Sequence, residues 1–195
     1  MRFLKQHFDE IVKLYVNQIG VAIIAMFLYT AAGALGNESG ISLFIKVMIS
    51  VVAISFYFSL LYVWVWEIGA KDKIRIDAGK AEREPSKGIK LGLFANAPNY
   101  IVIGAALILF SIYMLGGSDG FKSAFAILNM IFRIFVSMYL GAMQGIFSAL
   151  SQNEDLYYLC QTAGFLVCAL IAAIVTHVSY TMGLNDKRLF KKFKK

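Results

Sequence analysis

The chain contains, at residues 41–66, the stretch ISLFIKVMISVVAISFYFSLLYVWVW, in which Lys46 is the only charged residue. About 20 consecutive apolar residues are enough for an α-helix to cross the hydrocarbon core of a bilayer. The stretch is long enough for this, and its end carries Tyr62, Trp64 and Trp66. Aromatic residues of this kind are enriched at the boundary between lipid and water. The stretch therefore predicts a membrane-spanning helix.

Four further stretches are comparably apolar. The five predicted spans cover residues 16–35, 41–66, 91–115, 121–150 and 156–183. Before the first span, residues 3–17 place apolar side chains at helical spacing among charged ones, which predicts an amphipathic helix at the membrane interface. The sequence thus predicts an all-α, polytopic membrane bundle in which residues 1–195 form a single domain.

The overall composition agrees with a membrane protein. Hydrophobic residues make up 59% of the chain and charged residues 16%, with a mean hydropathy of +0.67. A soluble domain has about 25% charged residues. The composition therefore argues against a water-soluble domain.

The basic residues are concentrated in three segments beside the predicted spans. Of the 19 lysines and arginines, 16 lie in the N-terminal segment, in the polar segment 67–90 and in the tail 184–195. Cytoplasmic loops of membrane proteins are enriched in such residues, and basic clusters beside spans attract anionic lipid headgroups. We therefore expect a cell-membrane protein with these three segments in the cytoplasm and with the lipid bilayer and its anionic lipids as partners. Nucleic acid is not expected, because the basic segments carry no interleaved aromatic platform.

The stretch 121–150 decides whether this orientation is possible. Five simple crossings would leave the tail on the opposite side from the N-terminus. Both ends can be cytoplasmic only if the stretch 121–150 begins and ends at the same face. Its 30 residues are too few for two full spans of about 20 residues each. In this interpretation the stretch is re-entrant or broken, with Gly141 or Gly145 as the expected bend.

The alternative is that the same stretch forms one unbroken crossing helix. Its polar residues recur at spacings of four or seven, the period of one helical face. They are Asn129, Arg133, Ser137, Gln144 and Ser148. The basic clusters favour the re-entrant interpretation, whereas this periodicity favours the single helix.

Arg133 is the residue that most needs an explanation. An arginine deep in an apolar segment costs about 2.5–3.5 kcal/mol on insertion scales, and ionisable residues at such depth commonly mark functional sites. Asn129 lies one turn before it and Gln144 extends the same predicted face. We expect Arg133, Asn129 and Gln144 to line a solute-binding cavity. The alternative is a structural role, in which these side chains hydrogen-bond between packed helices.

A second interruption lies in the predicted third span. Pro98 removes a hydrogen-bond donor and clashes with the carbonyl of Phe94, so the helix is expected to kink. Asn96 and Asn99 flank the kink. Broken helices of transporters expose groups that bind solutes, which makes both asparagines further candidate binding residues. The alternative, which we favour, is a kink whose freed backbone groups are bonded by the asparagine side chains.

The sequence carries no recognisable catalytic motif. It has no Walker A motif, no H-E-x-x-H, no G-x-S-x-G and no dinucleotide-binding fingerprint. We therefore expect a non-catalytic membrane protein without cofactor or metal, which binds or transports a solute alone or as a subunit lacking its own ATPase. The alternative is an accessory or regulatory subunit that contacts a cytoplasmic partner protein through residues 67–90.

Overall fold

The computed structural model describes residues 2–35 and 39–188, and in this part of the chain all regular structure is helical. Eight α-helices follow one another, with a short 3-10 turn at Ser148–Leu150 before the last. They are α1 (Arg2–Gln6), α2 (Phe8–Leu35), α3 (Ser39–Asp77), α4 (Lys87–Ala95), α5 (Ala97–Met114), α6 (Asp119–Phe135), α7 (Ser137–Phe147) and α8 (Glu154–Leu184). The predicted all-α bundle is confirmed.

Four of these helices are long and apolar enough to cross a membrane. Their span-like parts are Phe8–Ala34, Ser42–Asp77, Ala97–Met114 and Glu154–Leu184. The bent pair formed by α6 and α7 passes the same test only when its two helices are taken together. The chain therefore has four to five helical segments suited to membrane insertion, as expected for an integral membrane protein.

Two helices extend beyond the predicted spans. Residues 8–35 form one helix, so most of the amphipathic segment runs straight into the first span and only α1 stands apart. The second span extends through much of the polar segment 67–90, because α3 ends only at Asp77. This extension packs against α8, and Ile68 and Ile76 join the buried core. The non-helical connection is therefore shorter than the sequence suggests.

The third predicted span is two helices rather than one kinked helix. Helix α4 ends at Ala95, and α5 begins at Ala97, so the break lies at Asn96. Pro98 occupies the second position of α5, where its missing N–H removes no helical hydrogen bond. The proline thus begins a helix instead of bending one.

The fourth predicted span is bent by 116° between α6 and α7. The bend lies at Val136, whose backbone angles of φ −116° and ψ 16° are not helical. The bend contradicts the alternative of a single unbroken helix, and the expectation of a bend at Gly141 or Gly145 was wrong. These glycines lie inside α7, where a Cβ on Gly141 would collide with the Lys46 carbonyl of α3. They serve close helix packing, which GxxxG spacings favour.

Helices α6 and α7 form a hairpin that begins and ends at the same end of the bundle. Helix α6 starts beside the start of α8, where Lys122 Nζ lies 3.0 Å from Asp155 Oδ1. It then packs mainly against α5, and its Asn129 side chain reaches Thr162 of α8. Helix α7 turns back, and only the 3-10 turn and residues 151–153 separate it from the start of α8. The bent pair is therefore a broken span or a re-entrant loop, as the first interpretation of the stretch 121–150 expects.

The described parts of the three basic segments lie together at the other end of the bundle, and tail residues 189–195 lie outside the described residues. Lys87 Nζ of α4 is 2.8 Å from Asp72 Oδ2 of α3 and 3.6 Å from Glu10 Oε2 of α2. Trp66 Nε1 donates to the Lys187 carbonyl at 2.7 Å. We call this the basic end, and the end formed by the starts of α6 and α8 the cavity end.

Candidate functional site

Arg133 lies near the end of α6, three residues before the bend. Helix α6 is strongly amphipathic and turns Phe125, Asn129 and Phe132 toward the interior. The half-buried Arg133 side chain donates from Nε to Asn129 Oδ1 at 3.1 Å and from Nη2 to Gln161 Oε1. Its guanidinium lies over the Tyr158 ring, 5.1 Å from the centroid. The arginine is therefore oriented by α6 on one side and by α8 on the other.

The groups that orient Arg133 are themselves held by neutral partners. Asn129 Nδ2 donates to Thr162 Oγ1 at 3.0 Å, and Gln161 Nε2 donates to Tyr157 OH at 3.0 Å. These bonds fix both amide oxygens toward the guanidinium. Among the described residues, no carboxylate lies within 4.0 Å of Arg133. Its positive charge is therefore hydrogen-bonded but not neutralised.

Arg133 lines a cavity of about 520 Å³ between α2, α6 and α8. Volumes of this size are typical of small-molecule sites. The cavity is lined by Met26, Tyr29, Thr30, Lys122, Phe125, Ala126, Asn129, Met130, Arg133, Ile134, Leu140, Glu154, Asp155 and Tyr158. Most of this surface is apolar.

The rim of the cavity carries an ion pair. Lys122 Nζ lies 3.0 Å from Asp155 Oδ1 and 3.5 Å from Tyr113 OH, which connects α6 with the start of α8 and the end of α5. The charge of Lys122 is thus matched by a carboxylate. Asp155 and Gln161 are separated along α8 by about 9 Å of helical rise. Of the two cations that line the cavity, Arg133 is therefore the one without a carboxylate partner among the described residues, and it is set back from the charged rim.

The other predicted binding residues do not line this cavity. Asn96 and Asn99 are buried at the break between α4 and α5, where Asn96 Nδ2 donates to the Gly92 carbonyl at 3.0 Å. Asn99 Nδ2 donates to Asn96 Oδ1 at 3.2 Å. These are the bonds expected if the asparagines only repair an interrupted helix. Gln144 lies on α7, which the bend at Val136 turns away from the polar face of α6.

Several residues of the site were missed from the sequence. Tyr158, Gln161 and Thr162 are polar or aromatic residues at helical spacing inside an apolar stretch, a signal that could have identified them. Tyr29 contributes from α2, and Lys46 of α3 lies over its ring at 5.3 Å. Only the folded chain shows that these segments adjoin α6.

A second polar cluster lies at the basic end. Lys87 is 5% exposed, and its ammonium group lies between the carboxylates of Asp72 and Glu10. Tyr180 OH donates to Asp72 Oδ2 at 3.0 Å, and His7 Nδ1 lies 2.9 Å from Glu10 Oε2. The cluster connects α2, α3, α4 and α8 through these contacts. It therefore stabilises the fold.

No family model, curated protein or solved structure matches this chain.

Proposed function

We propose that the chain is a non-catalytic integral membrane protein that binds an anionic solute in the Arg133 cavity, either as a transporter or as the binding subunit of one. The single observation that carries this proposal is the unmatched guanidinium on a cavity of about 520 Å³. A charge that is partly withdrawn from water and lies in an apolar segment commonly pairs with an opposite charge or a polar partner. An anionic solute would supply the missing negative charge.

The chemistry of the site suits an oxyanion. A guanidinium presents planar donors that match two oxygens of a carboxylate or phosphate. Asn129 and Gln161 hold two of the five Arg133 N–H groups and fix the plane of the fork. No further hydrogen bond joins Arg133 to a described residue, so its remaining N–H donors are available to a ligand.

The contacts of residues 67–90 favour this role over docking of a cytoplasmic partner. Residues 67–77 belong to α3, and Lys87 is buried. Lys90 Nζ lies 2.6 Å from Glu84 Oε1, and Arg83 Nη2 donates to Asn185 Oδ1 at 3.1 Å. The basic residues Lys87, Lys90 and Arg83 thus have partners within the protein itself, whereas the run of residues 77–83 is exposed.

We place the basic end in the cytoplasm and the cavity end on the opposite side, because basic loops are retained inside. In a background with Cys160 and Cys168 replaced by Ala, a cysteine at Ser118 should be labelled by an impermeant thiol reagent in intact cells. Cysteines at Ser86 or Lys187 should be labelled only after the cells are opened. Labelling of Lys187→Cys from outside, with Ser86→Cys protected, would contradict the re-entrant hairpin.

Replacing Arg133 tests the binding proposal. Phosphate, sulfate or acetate should raise the melting temperature of the wild type in an uncharged detergent. At an anion concentration of 100 times the dissociation constant, the added free energy of unfolding is about 2.7 kcal/mol. Arg133→Met should stay folded but lose this effect, because it removes the charge and its desolvation cost. Arg133→Lys keeps the charge without the fork and should respond weakly. Lys71→Met, which removes an exposed pair with Glu67, should respond like the wild type.

The opposite result would assign Arg133 a structural role. Loss of Arg133 would then leave Asn129 and Gln161 unpaired, at about 1–3 kcal/mol for each orphaned group. A methionine variant that unfolds early, together with a wild type that no anion stabilises, would overturn the proposal.

A further inference from the structure

The outer wall of the Arg133 cavity is continuous with the apolar surface of α6. Met130 is 72% exposed and Ile134 is 39% exposed, although both line the cavity. Their neighbours Ile127 and Ile131 continue the same surface, at 62% and 51% exposure. Because α6 and α7 taken together are apolar enough for membrane insertion, we expect such a surface to face hydrocarbon. The cavity therefore opens sideways toward lipid, between α2 and α6.

The interior of the cavity is too large and too apolar for a small inorganic anion. A volume of about 520 Å³ corresponds to about 17 water molecules at about 30 Å³ each. An inorganic ion at Arg133 would leave most of this space to water beside Phe125, Met130 and Leu140. Hydration of apolar walls is unfavourable, so a ligand that covers them with its own apolar part binds better.

Polar and apolar groups lie side by side on the α6 wall of the cavity. Arg133 and Asn129 supply the polar groups, and the next residues along the helix, Ile134 and Met130, supply apolar side chains beside them. The Lys122–Asp155 pair closes the rim with its charges already matched. A ligand with one anionic head and one apolar chain satisfies both parts of the cavity.

We propose that the anion bound at Arg133 is the head group of a single-chain amphiphile, an oxyanion with an alkyl tail that reaches the cavity from the bilayer. This inference rests on the proposed anion site and names the class of its ligand. The head group accepts hydrogen bonds from the free N–H groups of Arg133. The tail covers the wall formed by Met130, Ile134 and Leu140.

The test compares inorganic phosphate, butyl phosphate and dodecyl phosphate as stabilisers of the protein in an uncharged detergent. Butyl phosphate remains in water, whereas dodecyl phosphate enters the micelle and mimics an amphiphile held by the bilayer. Each buried methylene favours binding by about fourfold. The concentration of butyl phosphate that gives half-maximal stabilisation should therefore be at least about tenfold lower than that of inorganic phosphate. Dodecyl phosphate should stabilise the protein as well.

Two matched variants test where the alkyl chain of the ligand binds. Ala126→Phe fills part of the cavity and should abolish the advantage of butyl phosphate while inorganic phosphate still stabilises the protein. Ile127→Phe adds a ring on the same helix outside the cavity and should keep that advantage.

Three outcomes would overturn the inference. Equal stabilisation by phosphate and butyl phosphate would leave the anion site standing but exclude an apolar tail. A chain-length advantage that persists in Arg133→Met would indicate apolar adsorption elsewhere. Absence of stabilisation by any of the three phosphates would overturn both the inference and the proposed anion site.

Discussion

Replacing Lys87 by methionine should lower the free energy of unfolding by about 3 kcal/mol, because breaking a buried ion pair leaves its partner charges uncompensated. The Lys87 side chain is 6% exposed, and its ammonium group lies 2.8 Å from Asp72 Oδ2. Glu10, at 3.6 Å, retains a third of its exposure and so recovers some hydration. For this reason we expect the lower end of the range for broken buried pairs.

Chemical denaturation in a mild detergent measures this effect, with Lys90→Met as the matched control. Lys90 also pairs with a glutamate, at 2.6 Å, but both side chains are more than 40% exposed. Exposed pairs contribute about 1 kcal/mol or less. Adding Asp72→Asn to Lys87→Met should recover part of the lost stability, since it removes an orphaned carboxylate. If Lys87→Met cost no more than Lys90→Met, the buried cluster would not hold the basic end together.

Replacing Gly141 by alanine should destabilise the protein by about 1–3 kcal/mol, the cost of overpacking a tight contact. The new Cβ would collide with the Lys46 carbonyl, and the Gly141 N–H donates to Ser50 Oγ at 2.8 Å. Backbone atoms cannot move aside as a flexible side chain can, so α7 would have to shift away from α3. Alanine is the better helix former by about 1 kcal/mol, so any loss of stability must be steric.

Gly104→Ala is the control for this prediction. Gly104 lies in α5, and a Cβ there would meet nothing within 4 Å. Alanine at this position should leave stability unchanged or raise it by up to about 1 kcal/mol. Equal stability of the two variants in the same denaturation assay would mean that α7 does not lie against α3 as the hairpin requires.

The span-like helices and the common location of the basic segments could be predicted because both are local properties. Apolar length identifies a span without knowledge of its neighbours, and the bias of lysine and arginine indicates which segments share a side. The position of the bend was not predictable in this way. Gly141 and Gly145 suggested flexibility, but the close approach of α3 requires them inside a regular helix, and the chain turns at Val136 instead.

The candidate site was predictable only in part. Arg133 and Asn129 were identified because polar groups are costly in an apolar segment, a cost that exists before any packing is known. Gln144 was wrongly placed with them, because helical spacing puts residues on one face only within an uninterrupted helix, and the bend at Val136 lies between Arg133 and Gln144. Gln161 acts as a partner through the contact of α6 with α8, which no local pattern reports.

The Lys87 cluster shows the same limit. Its members come from positions 10, 72, 87 and 180, on four different helices. In the sequence, Lys87 is one of seven basic residues in a polar segment. Its burial arises from the extension of α3 to Asp77 and the start of α4 beside α8.

The most direct test of the Arg133 cavity is calorimetric titration of butyl phosphate into the purified protein in an uncharged detergent. The wild type should bind one molecule saturably, and Lys71→Met should bind with the same dissociation constant. Arg133→Lys should bind at least about tenfold more weakly, a loss of about 1.4 kcal/mol, and Arg133→Met should show no saturable binding. Equal dissociation constants for the wild type and Arg133→Met would contradict the account.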